Sequence, residues 1–165
     1  MRGARFAEYT PRASSMLQGA EPLDIRIRIA RRSDVDPVAI ILRERNGGRV
    51  SDYVARLDAP FSVTHNGDQL HLVAEVSGHV VGYGQTRSFE RPEGAPANAA
   101  PAGWYLSGVN IRRSFRRQGI AKRLTQCRLD WLTSRTHEVY YFANSQNEAS
   151  IDLHASFGFV EVTRD

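Results

Sequence analysis

Residues 114–124 read SFRRQGIAKRL, and the reading of this stretch decides what the chain folds into. Arg116, Arg117 and Gln118 lead to Gly119, after which Ile120, Ala121 and Lys122 open an apolar pattern. Ile120, Leu124, Cys127 and Trp131 fall at i, i+4, i+7 and i+11, the buried stripe of an amphipathic helix, so the spacing predicts a helix over 116–135. Just upstream, WYLSGVNI (104–111) reads as a strand whose internal glycine signals a bulge or a close backbone approach. A strand, a short basic turn with glycine and a strong helix form an arrangement that holds phosphate. The first N–H groups of a helix have no acceptor inside it, and the helix dipole is positive there. Gly119 lets the backbone approach an anion closely, and Arg116 and Arg117 add charge-assisted hydrogen bonds. The stretch is not a Walker loop, which needs Gly-x-x-x-x-Gly-Lys-Ser/Thr, nor a dinucleotide fingerprint.

The charge distribution supports one focused site. The 165-residue chain carries 22 Lys and Arg against 18 Asp and Glu, a net +4. Seven of those cations (Arg112, Arg113, Arg116, Arg117, Lys122, Arg123 and Arg128) lie within 112–128, where no acid occurs. The remainder is slightly acidic. That pattern suits a small anionic ligand and argues against a broad nucleic-acid footprint.

Working outward, residues 1–23 lack sustained periodicity and read as a flexible leader, which leaves 24–165 as the domain. LDIRIRIA (23–30) alternates as a half-buried strand with Ile25, Ile27 and Ile29 on one face. RRSDVDPVAIILRERNGG (31–48) is a helix with Ser33 or Asp34 as its cap, and VSDYVARLD (50–58) a second one ending before Pro60. Residues 69–89 form a hairpin turning at Ser77-Gly78, with Gly82 and Gly84 leaving space for a ligand or marking a bulge. A Pro- and Ala-rich loop follows at 90–103. EVYYFA (138–143) is a strand, NEASIDLHASFG (147–158) a helix and FVEVT (159–163) a last strand. The order β-α-α-β-β-β-α-β-α-β defines a single α/β domain.

The totals exclude several classes. No apolar run of about 18 residues exists, so no membrane span is expected, and the N-terminus lacks the apolar core of a secretory signal. Cys127 is the only cysteine, which rules out an internal disulfide and a cysteine-based zinc cage. A reducing cytoplasm is the expected compartment. His65, His71, His79 and His137 lack metal-ligand spacing and are expected in turns or at the surface, so no metal is expected.

Arg116–Ala121 resembles the Gln/Arg-x-x-Gly-x-Gly/Ala motif of the GNAT superfamily of acetyl-CoA-dependent N-acetyltransferases. A second block, NEASIDLHASFGF from Asn147 to Phe159, resembles that family's Asn-x-x-Ala/Ser-x-x-Leu-Tyr/His-x-x-x-Gly-Phe helix. The resemblance extends over roughly residues 24–165. It implies a mixed, mostly antiparallel central sheet flanked by helices, with acetyl-CoA as co-substrate. It also implies that the cradle of Arg116, Arg117, Gln118, Gly119, Ile120, Ala121 and Lys122 holds the coenzyme pyrophosphate, largely through main-chain N–H groups. Val109 and Ile111 would bond the pantetheine arm and the acetyl carbonyl through their main chains, which makes Val109 a catalytic donor. Asn147 would contact the pantetheine region, and His154 stands where a tyrosine often protonates the departing thiolate.

Three positions depart from the pattern. Arg113 replaces a frequent proline. Tyr105 stands where many relatives carry a glutamate, which leaves the general base open among Glu75, Glu90 and a water relay. The family usually ends with two strands where this chain shows one, so the sheet edge is open, covered, or completed by a second copy in a homodimer. Trp104 and Tyr105, with Glu75 and Glu90, are expected near the acceptor.

The chemistry sets the demands on such a site. A lysine-like amine is neutral in only about one part in a few thousand at pH 7. A base must therefore take a proton before attack, the acyl oxyanion needs an N–H donor, and the thiolate benefits from an acid. Near-neutral imidazole can supply that proton. The slightly acidic body suits a cationic small-molecule acceptor, such as an aminoglycoside-like antibiotic (hence antibiotic resistance) or a polyamine. A protein or peptide N-terminus, or a non-catalytic acyl-CoA sensor, are the alternatives.

Overall fold

A computed structural model describes residues 23–62, 67–96 and 99–162. The predicted leader lies outside the described residues except for Leu23, as do His65 and the last three residues. Five strands form one sheet in the order β1-β2-β3-β4-β5: β1 Ile25–Ile29, β2 Gln69–Val76, β3 His79–Phe89, β4 Gly103–Ile111 and β5 Val139–Tyr141. The first four are antiparallel neighbours, and β5 joins β4 in parallel. Ser77 and Gly78, both at positive φ (48° and 79°), make the tight turn of the β2–β3 hairpin that their sequence predicts.

Helices α1 (Val35–Asn46) and α2 (Val50–Ser62) cover one face, and α3 (Ile120–Leu132) covers the other. Val38, Ala39, Ile41, Leu57 and Phe61 pack against Val73, Val80 and Tyr83. On the opposite face Ile120 and Leu124 meet Leu70, Leu72, Ala74 and Val81. β2 therefore has helices on both sides. That corrects His71: it is 3 % exposed, hydrogen-bonded through Nδ1 to the Tyr83 hydroxyl (2.8 Å) and packed edge-on against Phe61.

One ion-pair network ties β1 to α1. Arg28 grips both oxygens of Asp34, which precedes α1 (2.6 and 2.9 Å), and reaches Glu75 on β2 (2.8 Å). Burial alone would raise the Asp34 carboxyl. Hydrogen bonds from Arg28 and from the Arg31 N–H outweigh it and hold the group below its ordinary value. β1 is an edge strand, and its apolar face runs out from under α3, so Ile29 is 46 % exposed.

Three boundaries differ from the sequence reading. α2 continues through Pro60 to Ser62, because the buried Phe61 anchors the last turn in the core against the loss of one helical hydrogen bond. α3 begins at Ile120, since Arg117 and Gly119 adopt left-handed backbone that a helix cannot contain. The segment predicted as a last strand does not form one over Phe159–Val162. Val160 and Val162, which would share one face of a strand, are both exposed with nothing packed on them, and β5 is only three residues long. No helix among the described residues is long and apolar enough to cross a membrane.

Candidate functional site

β4 and β5 part company soon after they meet. Trp104–Leu106 pair with Val139–Tyr141, and from there β4 continues against β3 alone. Within that stretch Gly84 faces Val109 and Gln85 faces Ser107, which leaves Gly108 as an extra residue at φ 65°. The bulge signalled by the glycine is thus present. Past it, the Arg112 N–H donates to Val81 O (2.9 Å), which fixes the alternation of the strand. The N–H groups of Asn110 and Arg112 face β3, and those of Val109 and Ile111 face the open outer edge. The Ile111 carbonyl, on that outer side, accepts from Arg116 Nε (3.2 Å).

The open edge leads straight into a donor-rich turn. Arg117 is held at φ 65° and Gly119, which caps α3, at φ 80°. A left-handed non-glycine residue costs about 1–2 kcal/mol, so Arg117 stores strain at this turn. No side chain caps the helix, and its first internal bond runs from Arg123 N to Gly119 O (3.1 Å). The N–H groups of Ile120, Ala121 and Lys122 therefore have no acceptor within the helix. Gly119 has open space where a Cβ would stand. Arg113, Arg117, Lys122 and Arg123 are exposed around the turn, and Arg112 pairs with Glu44 (3.2 Å). On α1, burial lowers the Arg45 guanidinium and the like charge of Arg116 adds to the effect, so two cations neighbour each other beside this turn. Backbone donors, a left-handed glycine and clustered cations fit a pyrophosphate.

Arg128 does not belong to the basic strip in which its position in the sequence puts it. It is fully buried, turned from α3 onto the inner side of the bulge. Nη1 donates to Gln85 O (3.0 Å) and Gly108 O (3.3 Å), Nη2 to Thr125 Oγ1 (3.0 Å) and Nε to Leu124 O (3.3 Å). Burial pushes the guanidinium down to about 10, so it stays charged at neutral pH. The space at Gly84 holds this side chain: a Cβ there would stand 3.3 Å from Arg128 Nε. The space at Gly82 is filled by Ile111, Ala74 and Ile120.

Helix α4 (Glu148–Ala155) supplies the imidazole. Asn147 precedes the helix, and its side-chain oxygen accepts the Ser150 N–H (3.3 Å), which leaves its amide nitrogen for other partners. His154 is 5 % exposed, stacked on Tyr141 of β5 at 3.8 Å and 6°, with Phe159 edge-on. Its Nδ1 lies 2.7 Å from Ser150 O. A carbonyl only accepts, so Nδ1 carries the proton and Nε2 a lone pair. Nε2 is buried without a hydrogen-bond partner among the described residues. Burial lowers the His154 pKa, the Ser150 carbonyl offsets part of that, and the Arg128 charge lowers it further. In this tautomer the neutral imidazole can accept a proton at Nε2 and, once charged, can donate it.

The other predicted residues scatter. Tyr105 is buried with its hydroxyl on Pro101 O (2.7 Å) and its ring among Phe89, Tyr140 and Phe142. Trp104 meets Trp131 of α3 edge-on at 5.3 Å. Glu75 is held by Arg28 two strands away from β4, roughly 10 Å in sheet spacing. Glu90 is exposed just past the end of β3, where Phe89 pairs with Gly103. That is five residues before Gly108, roughly 17 Å along the strand. Neither carboxylate is brought to the open edge. Among the described residues no group of three or more His, Cys, Asp or Glu could hold a metal ion.

The split sheet leaves an edge of β4 without a neighbouring strand among the described residues, and that edge ends at the donor-rich start of α3. The model of the GNAT acetyltransferase family matches residues 37–159, and the chain belongs to that family, whose enzymes use acetyl-CoA. Among solved structures, the aminoglycoside N-acetyltransferase AAC(6')-Iy in complex with CoA superimposes with a TM-score of 0.71 at 18% identity, covering 88% of this chain and 93% of that one. The aminoglycoside 6'-N-acetyltransferase AAC(6')-Ih from Acinetobacter baumannii gives 0.68 at 19%, covering 86% and 94%. A transcriptional regulator from Bacillus halodurans gives 0.65 at 18%, covering 86% and 96%. At these identities the likeness is one of fold. No curated protein sequence matches the chain.

Proposed function

We propose that the protein transfers the acetyl group of acetyl-CoA to a primary amine of a small cationic molecule, of the aminoglycoside or polyamine kind. The observation that carries this reading is the continuity of two donor sets. The outward N–H groups of Val109 and Ile111 run directly into the uncapped, glycine-led start of α3. The N–H groups of Ile120, Ala121 and Lys122, with Arg116, Arg117 and Gln118 around them, bind the pyrophosphate. Ile111 and the Asn147 amide nitrogen bind the pantetheine arm, and the Val109 N–H takes the acyl oxygen. Bound there, acetyl-CoA supplies an activated acyl carbon.

The reaction forms a C–N bond and breaks a C–S bond; a cationic primary amine loses two protons, and one proton must reach sulfur. His154 serves both ends. Neutral Nε2 accepts one proton of the ammonium group so that the amine can attack, the imidazolium then returns it to the thiolate, and the second proton leaves nitrogen for solvent as the tetrahedral adduct collapses. The acidic body favours a cationic acceptor near this imidazole. Purified protein with acetyl-CoA should release thiol with aminoglycosides or polyamines and much less with peptides bearing a free N-terminus. Faster release with the peptides would move the acceptor class to protein N-termini. Coenzyme binding without thiol release from any amine would make the protein an acyl-CoA sensor, a reading favoured by the burial of Tyr105 where relatives carry a glutamate.

A further inference from the structure

The bulge in β4 creates a problem that the fold solves with one side chain. An extra residue breaks the β3–β4 ladder and leaves carbonyls without their usual N–H partners. Buried carbonyls require a donor. Gln85 O and Gly108 O, on the two strands flanking the break, accept from the same nitrogen, Arg128 Nη1. The remaining contacts of the guanidinium, Leu124 O and Thr125 Oγ1, are also neutral oxygens. A buried cation without a carboxylate is costly, and an apolar side chain would fill this position on α3 more cheaply. Gly84 gives up its side chain to admit it. Packing alone accounts for neither residue.

The Gly108 carbonyl and the Val109 N–H belong to one rigid, trans peptide plane and point in opposite directions. Whatever holds the oxygen aims the N–H. Hydrogen bonding at the oxygen also polarises the peptide and strengthens the N–H as a donor. We propose that Arg128 is a positioning residue for acyl transfer: it grips the Gly108 carbonyl from inside, so that the Val109 N–H points out along the open edge of β4 at the acyl oxygen. Its charge lies behind that peptide and favours negative charge as it develops on the oxygen. The inference deepens the acetyl-transfer reading and rests on it.

The test compares Arg128→Met, Arg128→Lys and Gly84→Ala with wild type in steady-state kinetics and coenzyme binding. Arg128→Met keeps length and loses the donors. Gly84→Ala keeps the Arg128 side chain and its charge but presses Nε and Cζ by a few tenths of an ångström, which disturbs its bonds to the two carbonyls. Both should lower kcat, Arg128→Met by about 10- to 100-fold, with the KM for acetyl-CoA within about threefold because the phosphate cradle is untouched. Arg128→Lys restores the charge without the two-carbonyl grip and should recover only part of the loss. A structural role alone would not separate kcat from KM in this way. Unchanged kcat in the folded variants, or a raised KM at unchanged kcat, would overturn the proposal. If Arg128→Met fails to fold, Gly84→Ala decides on the same criteria. If wild type turns over no amine, the acetyl-transfer reading fails separately, and binding decides the role of Arg128. A wild-type preference for acetyl-CoA over CoA that is lost in Gly84→Ala and Arg128→Lys supports it, and retention or absence of that preference overturns it.

Discussion

Replacing Gly119 by alanine isolates the cradle from the rest of the fold. Gly119 sits at φ 80°, ψ −2°, and an added Cβ would meet nothing within 4 Å. The substitution therefore creates no clash, and its cost is confined to holding an L-residue in left-handed backbone, about 1–2 kcal/mol. In a domain of this size that corresponds to a fall in Tm of roughly 2–8 °C. Gly94 provides a matched control. It has φ 76° and open space around its Cβ position, in the loop between β3 and β4, so its alanine variant carries the same backbone cost away from the cradle. Relaxation of φ at residue 119 re-aims the N–H groups of Ile120, Ala121 and Lys122, whereas relaxation at residue 94 touches none of them. Thermal denaturation should show similar losses for the two variants. Calorimetry should show CoA binding weakened about tenfold or more in Gly119→Ala, equivalent to at least about 1.4 kcal/mol, and unchanged in Gly94→Ala. Equal CoA affinity in both variants, with both folded, would refute the assignment of the pyrophosphate to this turn.

Two further outcomes follow from the charged groups. With His154 in its proposed role as a neutral acceptor and its pKa lowered by burial below the ordinary 6.5, kcat/KM should be flat through pH 7 and fall only below 6.5. His154→Asn should lower kcat and abolish that acid limb, whereas a rate that declines as pH rises through 6.5 would assign the imidazolium as the catalyst instead. Asp34→Asn should cost about 2 kcal/mol at neutral pH in chemical denaturation, less than a fully buried pair because Arg28 retains some exposure. The wild-type Asp34 contribution is complete above the ordinary 3.8 and is lost as pH falls through the lower folded value. The variant should lack that dependence.

Features with local causes were legible in the sequence. The stripe of α3 and the β2–β3 hairpin each follow from residues within a few positions of one another, whereas the left-handed backbone at Arg117 and Gly119 moved the start of the helix from the expected residue 116 to Ile120. What escaped was set by distant partners. Arg128 stands eight residues after Ile120 and four after Leu124, on the buried stripe, and that spacing was the one available signal that it turns inward. The reason it does so lies in carbonyls 20 and 43 residues away. His71 gave no local sign of burial either, because the helix layers that enclose β2 come from both ends of the chain. The tautomer of His154 depends on Ser150 O, one helical turn back. It could have been anticipated only by knowing that Tyr141 and Phe159 close over the ring and keep water from competing.

The central claim is that an acyl-coenzyme lies along the outer edge of β4 with its pyrophosphate on the first turn of α3. An amide chemical-shift titration with acetyl-CoA tests it most directly. The largest shifts are expected at the amides of Gly119, Ile120, Ala121 and Lys122 and at those of Val109 and Ile111, with Asn110, which faces β3, moving less. Shifts confined to the exposed arginines, or absent from Val109 and Ile111 at saturation, would contradict it.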